Sequence, residues 1–93
     1  MNLKAFVAFA EKKNGEQFLT AGERTQFSVE VGESRLEFTI ASGRRRQESF
    51  PYVEMFCRYF KERQSLRPVD YPETRNASYL IGLAREFRKP RRA

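Results

Sequence analysis

Histidine is absent from this chain. With it go the commonest general base near neutral pH and the commonest metal ligand, so Ser-His, Cys-His and His-ligated zinc chemistries are excluded. Cysteine occurs once, at Cys57, which forbids an internal disulfide framework and fits a reducing compartment. No apolar run approaches the ~18–20 residues of a membrane span. The N-terminal AFVAFA is too short for a secretory core, and EKK follows it with no small-residue cleavage site. A cytoplasmic location, with no membrane partner, is the expectation.

Acids are outnumbered in one half of the chain only. Residues 1–41 hold five Lys/Arg against six Asp/Glu, whereas residues 42–93 hold thirteen against six. Of the eighteen basic residues thirteen are arginine, the side chain suited to bidentate contact with phosphate or carboxylate. This asymmetry points to an anionic partner. Apolar residues make up 40% of the chain and aromatics 14%, nine of them Phe, enough for the core of one domain over residues 1–93.

The apolar spacing orders the chain. In NLKAFVAFAEKKNG, Leu3, Phe6, Val7 and Ala10 share a helical face, Asn2 is placed to cap it and Asn14-Gly15 to stop it. A strand competes there, because KAFVAFA also tolerates period two. A short strand is expected near 17–20. TQFSVEV and SRLEFTI alternate strictly and predict a hairpin over 25–40, with Gly32-Glu33 as a two-residue type II′ turn. That register pairs Val29 with Leu36, Phe27 with Phe38 and Glu30 with Arg35. The slipped alternative, which sets Glu30 against Glu37, is disfavoured by like-charge repulsion.

Ser49 begins a helix over 50–63, with Pro51 in its first turn and Val53, Phe56, Cys57 and Phe60 on its apolar face. Tyr52, Met55 and Tyr59 widen that arc. A last helix over 77–88 follows Asn76 or Thr74 as cap and buries Tyr79, Leu80, Leu83, Ala84 and Phe87. Residues 88–93 read as a frayed basic tail. The fold class is therefore α+β: a small antiparallel sheet packed on two C-terminal helices, with an N-terminal helix.

Three stretches are candidate sites. Arg44, Arg45 and Arg46 lie between the hairpin and a helix N-terminus, where phosphate contact competes with a solvated connector offset by Glu48. Ser78, Arg85 and Lys89 form one stripe of the last helix with Gly82, and Arg88 lies beside it. Such a stripe suits a phosphate chain or is an ordinary solvent face. In RPVDYPETRNASY, Arg67, Asp70, Tyr71, Arg75 and Asn76 either read base edges or order the loop, through an Asp70 ion pair with Arg67 or Arg75, a packed Tyr71 and an Asn76 cap. Cys57 reads as a buried thiol, and the Asn76-Ala77-Ser78 sequon as idle.

Two of these elements carry a resemblance. SGRRR after a strand and TRNASY opening the final helix give the C-terminal half a likeness to a small domain of bacterial restriction-type and other DNA-linked proteins. The matched positions are Ser42, Gly43, Arg44, Arg75, Asn76, Ser78 and Tyr79. The resemblance implies association with DNA. No nuclease domain accompanies it, so the activity of such larger proteins does not carry over.

The expected function is a non-catalytic nucleic-acid-binding module, DNA before RNA because the outward hairpin positions hold no aromatics for stacking on single strands. The alternative is a small protein-interaction or dimerisation module, a mobile-element or phage accessory protein, binding an acidic partner or a second copy of itself. An enzyme is not expected, nor a metal or cofactor. An acid-only nuclease would have to draw on Glu30, Glu37, Glu54, Asp70 and Glu73. The deciding geometry is whether Arg44–Arg46 lie on the same side as Arg85, Arg88 and Lys89: together they make a binding surface, and if they point apart the solvated reading of the run is preferred.

Overall fold

Asn2 starts the fold: its side-chain oxygen accepts the Ala5 N–H at 2.8 Å, and the chain winds into α1 (Leu3–Lys12). The computed structural model describes residues 1–89. In chain order, α1 is followed by β1 (Phe18–Leu19), β2 (Gln26–Val31), β3 (Arg35–Ile40), β4 (Arg45–Ser49), α2 (Phe50–Arg63), a short 3₁₀ turn (Pro68–Asp70) and α3 (Ala77–Arg88). The expected α+β class and the bounds of α2 and α3 are met. Of the tail expected at 88–93, Arg88 closes α3 and Lys89 caps it, and residues 90–93 lie outside the described residues.

The four strands form one antiparallel sheet in the order β1-β2-β3-β4. Side chains alternate across it. Phe27, Val29, Leu36 and Phe38 are buried on one face, against the helices, while Gln26, Glu30 and Arg45 on the other are exposed. The α1 face is rotated from the expected one: Phe6, Phe9 and Ala10 are buried, and Leu3 and Val7 only partly so. Phe9 earns its place by meeting Phe18 and Phe87 edge-on, with centroids 6.5 and 5.3 Å apart.

The hairpin register differs from the expected one. Phe27 pairs with Ile40, Val29 with Phe38 and Val31 with Leu36, and Glu30 does face Glu37. The turn moves one residue on, to Glu33-Ser34, closed by the Gly32 N–H on the Arg35 carbonyl at 2.8 Å. A slip of two residues keeps every side chain on its face. It makes three apolar cross-strand pairs in place of two, while the Glu–Glu pair stands on the open face with Arg35 3.9 Å from Glu37. Like-charge repulsion between solvated side chains is worth only a few tenths of a kcal/mol, less than an added buried apolar pair.

The arginine run is also not a connector. Residues 45–49 form β4, the outer strand, paired with β3 from Arg35↔Ser49 to Thr39↔Arg45. A three-residue turn at 41–43 brings it back: Ile40 N–H bonds the Arg44 carbonyl and Gly43 N–H the Ile40 carbonyl, both at 2.8 Å. Gly43 holds φ +91°, the left-handed position that such turns reserve for glycine.

α3 is the centre of the molecule. Ala77, Leu80, Ile81, Gly82, Leu83 and Ala84 are all buried, so it is covered on more sides than an amphipathic helix would be. Tyr79 stacks on Phe38 at 5.4 Å and stands edge-on to Phe27. A Cβ on Gly82 would run into the Leu19 carbonyl and sit 3.1 Å from the Phe27 ring. The expected solvent stripe is thereby corrected: at Gly82 it is the seam between α3 and β1, and the residue is small because strand backbone lies against it. Among the described residues no helix is long and apolar enough to cross a membrane.

Candidate nucleic-acid interface

Position along β4 decides where its arginines point. Arg46 is the cross-strand partner of Phe38, and Arg45 of Thr39. Partners share a face. Arg46, with Arg44 two residues before it, therefore lies on the helix side and Arg45 on the open side, so the three cations wrap the sheet's outer edge. All three are exposed, and among the described residues none has a carboxylate within ion-pair reach.

Two further arginines join them. The meander puts the β1–β2 and β3–β4 turns at the same end of the sheet, tied by the Ala41 N–H on the Gln26 carbonyl at 3.3 Å. Arg24 stands in the first of these turns, exposed and without an ion pair among the described residues. Arg75, equally exposed and unpaired, is held beside β4 from the other side. Its neighbour Asn76 donates from Nδ2 to the Gln47 carbonyl at 2.9 Å, and the Thr74 hydroxyl donates to the Glu48 carboxylate. Between β4, the first turn of α2 and residues 73–76 lies a cleft of about 360 Å³, lined by Gln47, Glu48, Tyr52, Glu73, Thr74, Arg75 and Asn76.

The second expected cationic set does not come to this surface. Arg85 points inward: its side chain is 18% exposed, donates to the carbonyls of Leu19, Thr20 and Ala21 at 3.0 to 3.3 Å, and lies 3.7 Å from Glu23. It ties the β1–β2 turn to α3. Ser78 does similar work through its carbonyl, which accepts the Ala21 N–H. Arg88 lies over Phe60 at 5.4 Å and bonds Gln64, while Lys89 pairs with Glu86 at 2.8 Å. These last two sit at the far end of α3, about 18 Å from Asn76 at 1.5 Å per residue. The two basic sets point apart, so the expected joint surface does not form, and a phosphate reading is left with the β4 arginines and their neighbours alone.

The loop splits in the same way. Asn76 stands at the cap position, but its side chain makes no cap bond; the amide is spent on Gln47 and is buried. Thr74 Oγ1 instead accepts the Asn76 N–H at 3.1 Å. Arg67 is exposed beyond the C-terminus of α2, at the opposite end of that helix from β4. The expected Asp70 ion pair is replaced by a hydrogen bond from the Ser65 hydroxyl. Tyr71 is packed as expected, its hydroxyl donating to the Ser65 carbonyl at 2.8 Å.

The loop's ion pair is one the sequence reading missed. Arg63 holds Glu73 through two bonds of 2.9 and 3.1 Å, reaches the Asp70 carbonyl and stacks on Tyr59 at 4.0 Å. The Arg63 hydrogen bond keeps the Glu73 carboxyl below its usual range. Burial pushes the Cys57 thiol up to about 12, so it stays protonated among Val53, Phe56 and Phe60. The acids do not converge: Glu30 and Glu37 face each other on the open sheet face, while Asp70 and Glu73 are engaged in the loop. Among the described residues no three of His, Cys, Asp and Glu come together as metal ligands would.

Arg24 and Tyr52 were missed as well. Arg24 lies in the half of the chain with no basic excess, and its signal was topological: alternate turns of a meander share an end. Tyr52 was assigned to the apolar arc of α2, yet it is 48% exposed. No protein-family model, curated protein or solved structure matches this chain.

Proposed function

We propose that this protein is a non-catalytic nucleic-acid-binding module, with DNA preferred to RNA, that grips the phosphate backbone along the outer edge of its sheet. One observation carries the reading. Arg45 and Arg46 on β4, and Arg44 just before it, stand exposed with no carboxylate in ion-pair reach among the described residues, flanked by Arg24 and Arg75 in the same condition. Phosphates are the ligands that unpaired, exposed guanidinium groups on a rigid strand fit. The strand fixes the backbone that carries them, about 3.3 Å per residue with side chains to alternate faces, which limits the entropy lost when several contacts form at once. Arg85, Arg88 and Lys89 have internal partners and take no part, and Arg67 lies too far along α2.

Dimerisation through the β4 edge is the less supported reading. Asn76 already occupies the Gln47 carbonyl that a new strand would need. The test is a binding titration at several salt concentrations. Each neutralised phosphate contributes about −0.9 to the log–log salt slope on duplex DNA, so Arg44→Ala/Arg45→Ala/Arg46→Ala is expected to bring the slope about 2–3 units towards zero. Arg88→Ala is expected to leave it unchanged. Binding that ignores salt, or that survives the triple substitution intact, would sink the proposal and leave an acidic protein partner to be sought.

A further inference from the structure

We infer that the cleft beside β4 receives one unpaired base, stacked on Tyr52, and that a single strand of DNA is preferred to a duplex. This rests on the phosphate-binding reading above and adds to it a reason for choosing one strand over two.

The chain has thirteen aromatic residues and no tryptophan. Among the described residues the large apolar side chains that stand exposed are Leu19, Tyr52, Leu66 and Val69, and only one of these is aromatic. The rings of Phe6, Phe27, Phe38, Phe56, Tyr71 and Tyr79 pair with one another in the core, whereas the Tyr52 ring has no such partner there. It stands instead in the wall of the 360 Å³ cleft, which the unpaired Arg75 also lines. Pro51, in the first turn of α2, stiffens the backbone on which it is mounted.

The rest of the cleft suits a base better than a second phosphate. Residues 44 and 50 bond β3 through their backbone, so the alternation turns the N–H of Gln47 away from the sheet, towards the cleft side. The Glu48 carboxylate accepts from Thr74 and keeps lone pairs for a base donor, the ring N3–H of thymine or the exocyclic amine of another base. A carboxylate there repels phosphate, so the backbone of the ligand must run outside, over Arg75 and the arginines of β4. A duplex keeps its bases stacked within and cannot set one on Tyr52; a single strand can, whatever its sequence, because every base has a π-face.

The experiment compares a short oligothymidylate with a duplex of the same length by fluorescence anisotropy. Tyr52→Ala is expected to weaken the single strand about tenfold, with its salt slope and the duplex affinity unchanged. Tyr52→Phe keeps the ring and is expected to bind as the parent does. Tyr52→Trp places the chain's only tryptophan in the cleft, and its emission should be quenched by oligothymidylate but not by the duplex. If Tyr52→Ala leaves single-strand affinity intact while the triple arginine variant loses it, the stacking inference falls and the phosphate reading stands. If the parent protein binds neither ligand, both fall together.

Discussion

Gly82 shows how much one missing methyl decides. In an exposed helix, Gly→Ala gains about 1 kcal/mol from propensity. At Gly82 the new Cβ would enter the Leu19 carbonyl, and backbone does not swing aside as a side-chain tip does. Overpacking of this kind costs about 1–3 kcal/mol, so Gly82→Ala is expected to lower stability by about 1–2 kcal/mol net, read as a smaller urea midpoint at constant m. Glu73 is the residue whose titration matters. Its carboxyl is held below the ordinary value of 4.5 by Arg63, so its contribution is present above that value and is lost as the pH falls through the lower, folded one. Thermal melts of the parent are expected to drop more steeply below pH 4.5 than those of Glu73→Gln, which has no charge to lose. Parallel curves would mean that the pair is ornamental.

The elements differ in how plainly the sequence announces them. α1, α2, α3 and the β2–β3 hairpin show themselves through apolar periodicity, because each must bury a face. β4 has no such signal: RRQES carries no apolar residue, and the strand exists because the turn at Ser42-Gly43 returns the chain against β3. The Arg44–Arg46 stretch is therefore legible as charge but not as a strand. The hairpin register was misjudged because a surface charge pair was weighed above a third apolar pair. The α3 stripe was misjudged because a small residue in a polar row signals contact as readily as exposure. At this scale Asn76 is the revealing position. It closes the outer edge of β4 from the side of α3, where an open edge invites pairing with other chains. Asn76→Ala is expected to cost about 1–2 kcal/mol by leaving the Gln47 carbonyl without its donor. The Arg46 and Glu48 amides, which bond β3, should then exchange with solvent faster, as measured by hydrogen–deuterium exchange; unchanged rates would show that β4 holds by itself.

Across the whole molecule, charge is sorted by the ends of the sheet. Arg24, Arg44 and Arg45 stand at the end with the β1–β2 and β3–β4 turns, where Glu23 lies against Arg85, while Glu30, Glu33 and Glu37 cluster about the β2–β3 turn at the other, with Arg35 among them. The net charge of +6 therefore understates the positive potential a polyanion meets on one approach and overstates it on the opposite one. Packing is sorted differently. β1 is only two residues long, and α3 secures it through the seam at Gly82 and the Arg85 clasp on its carbonyls. Residues near the start of the sequence are thus locked by residues 77–88, which share the cover of the meander's apolar face with α1 and α2. During synthesis, hairpins can form as they emerge, but the cover of Phe27 and Phe38 is incomplete until α3 brings Tyr79 onto them. The arginines of β4 are then already outside with an incompletely covered sheet behind them, and like charge is what keeps such nascent chains from zipping together edge to edge.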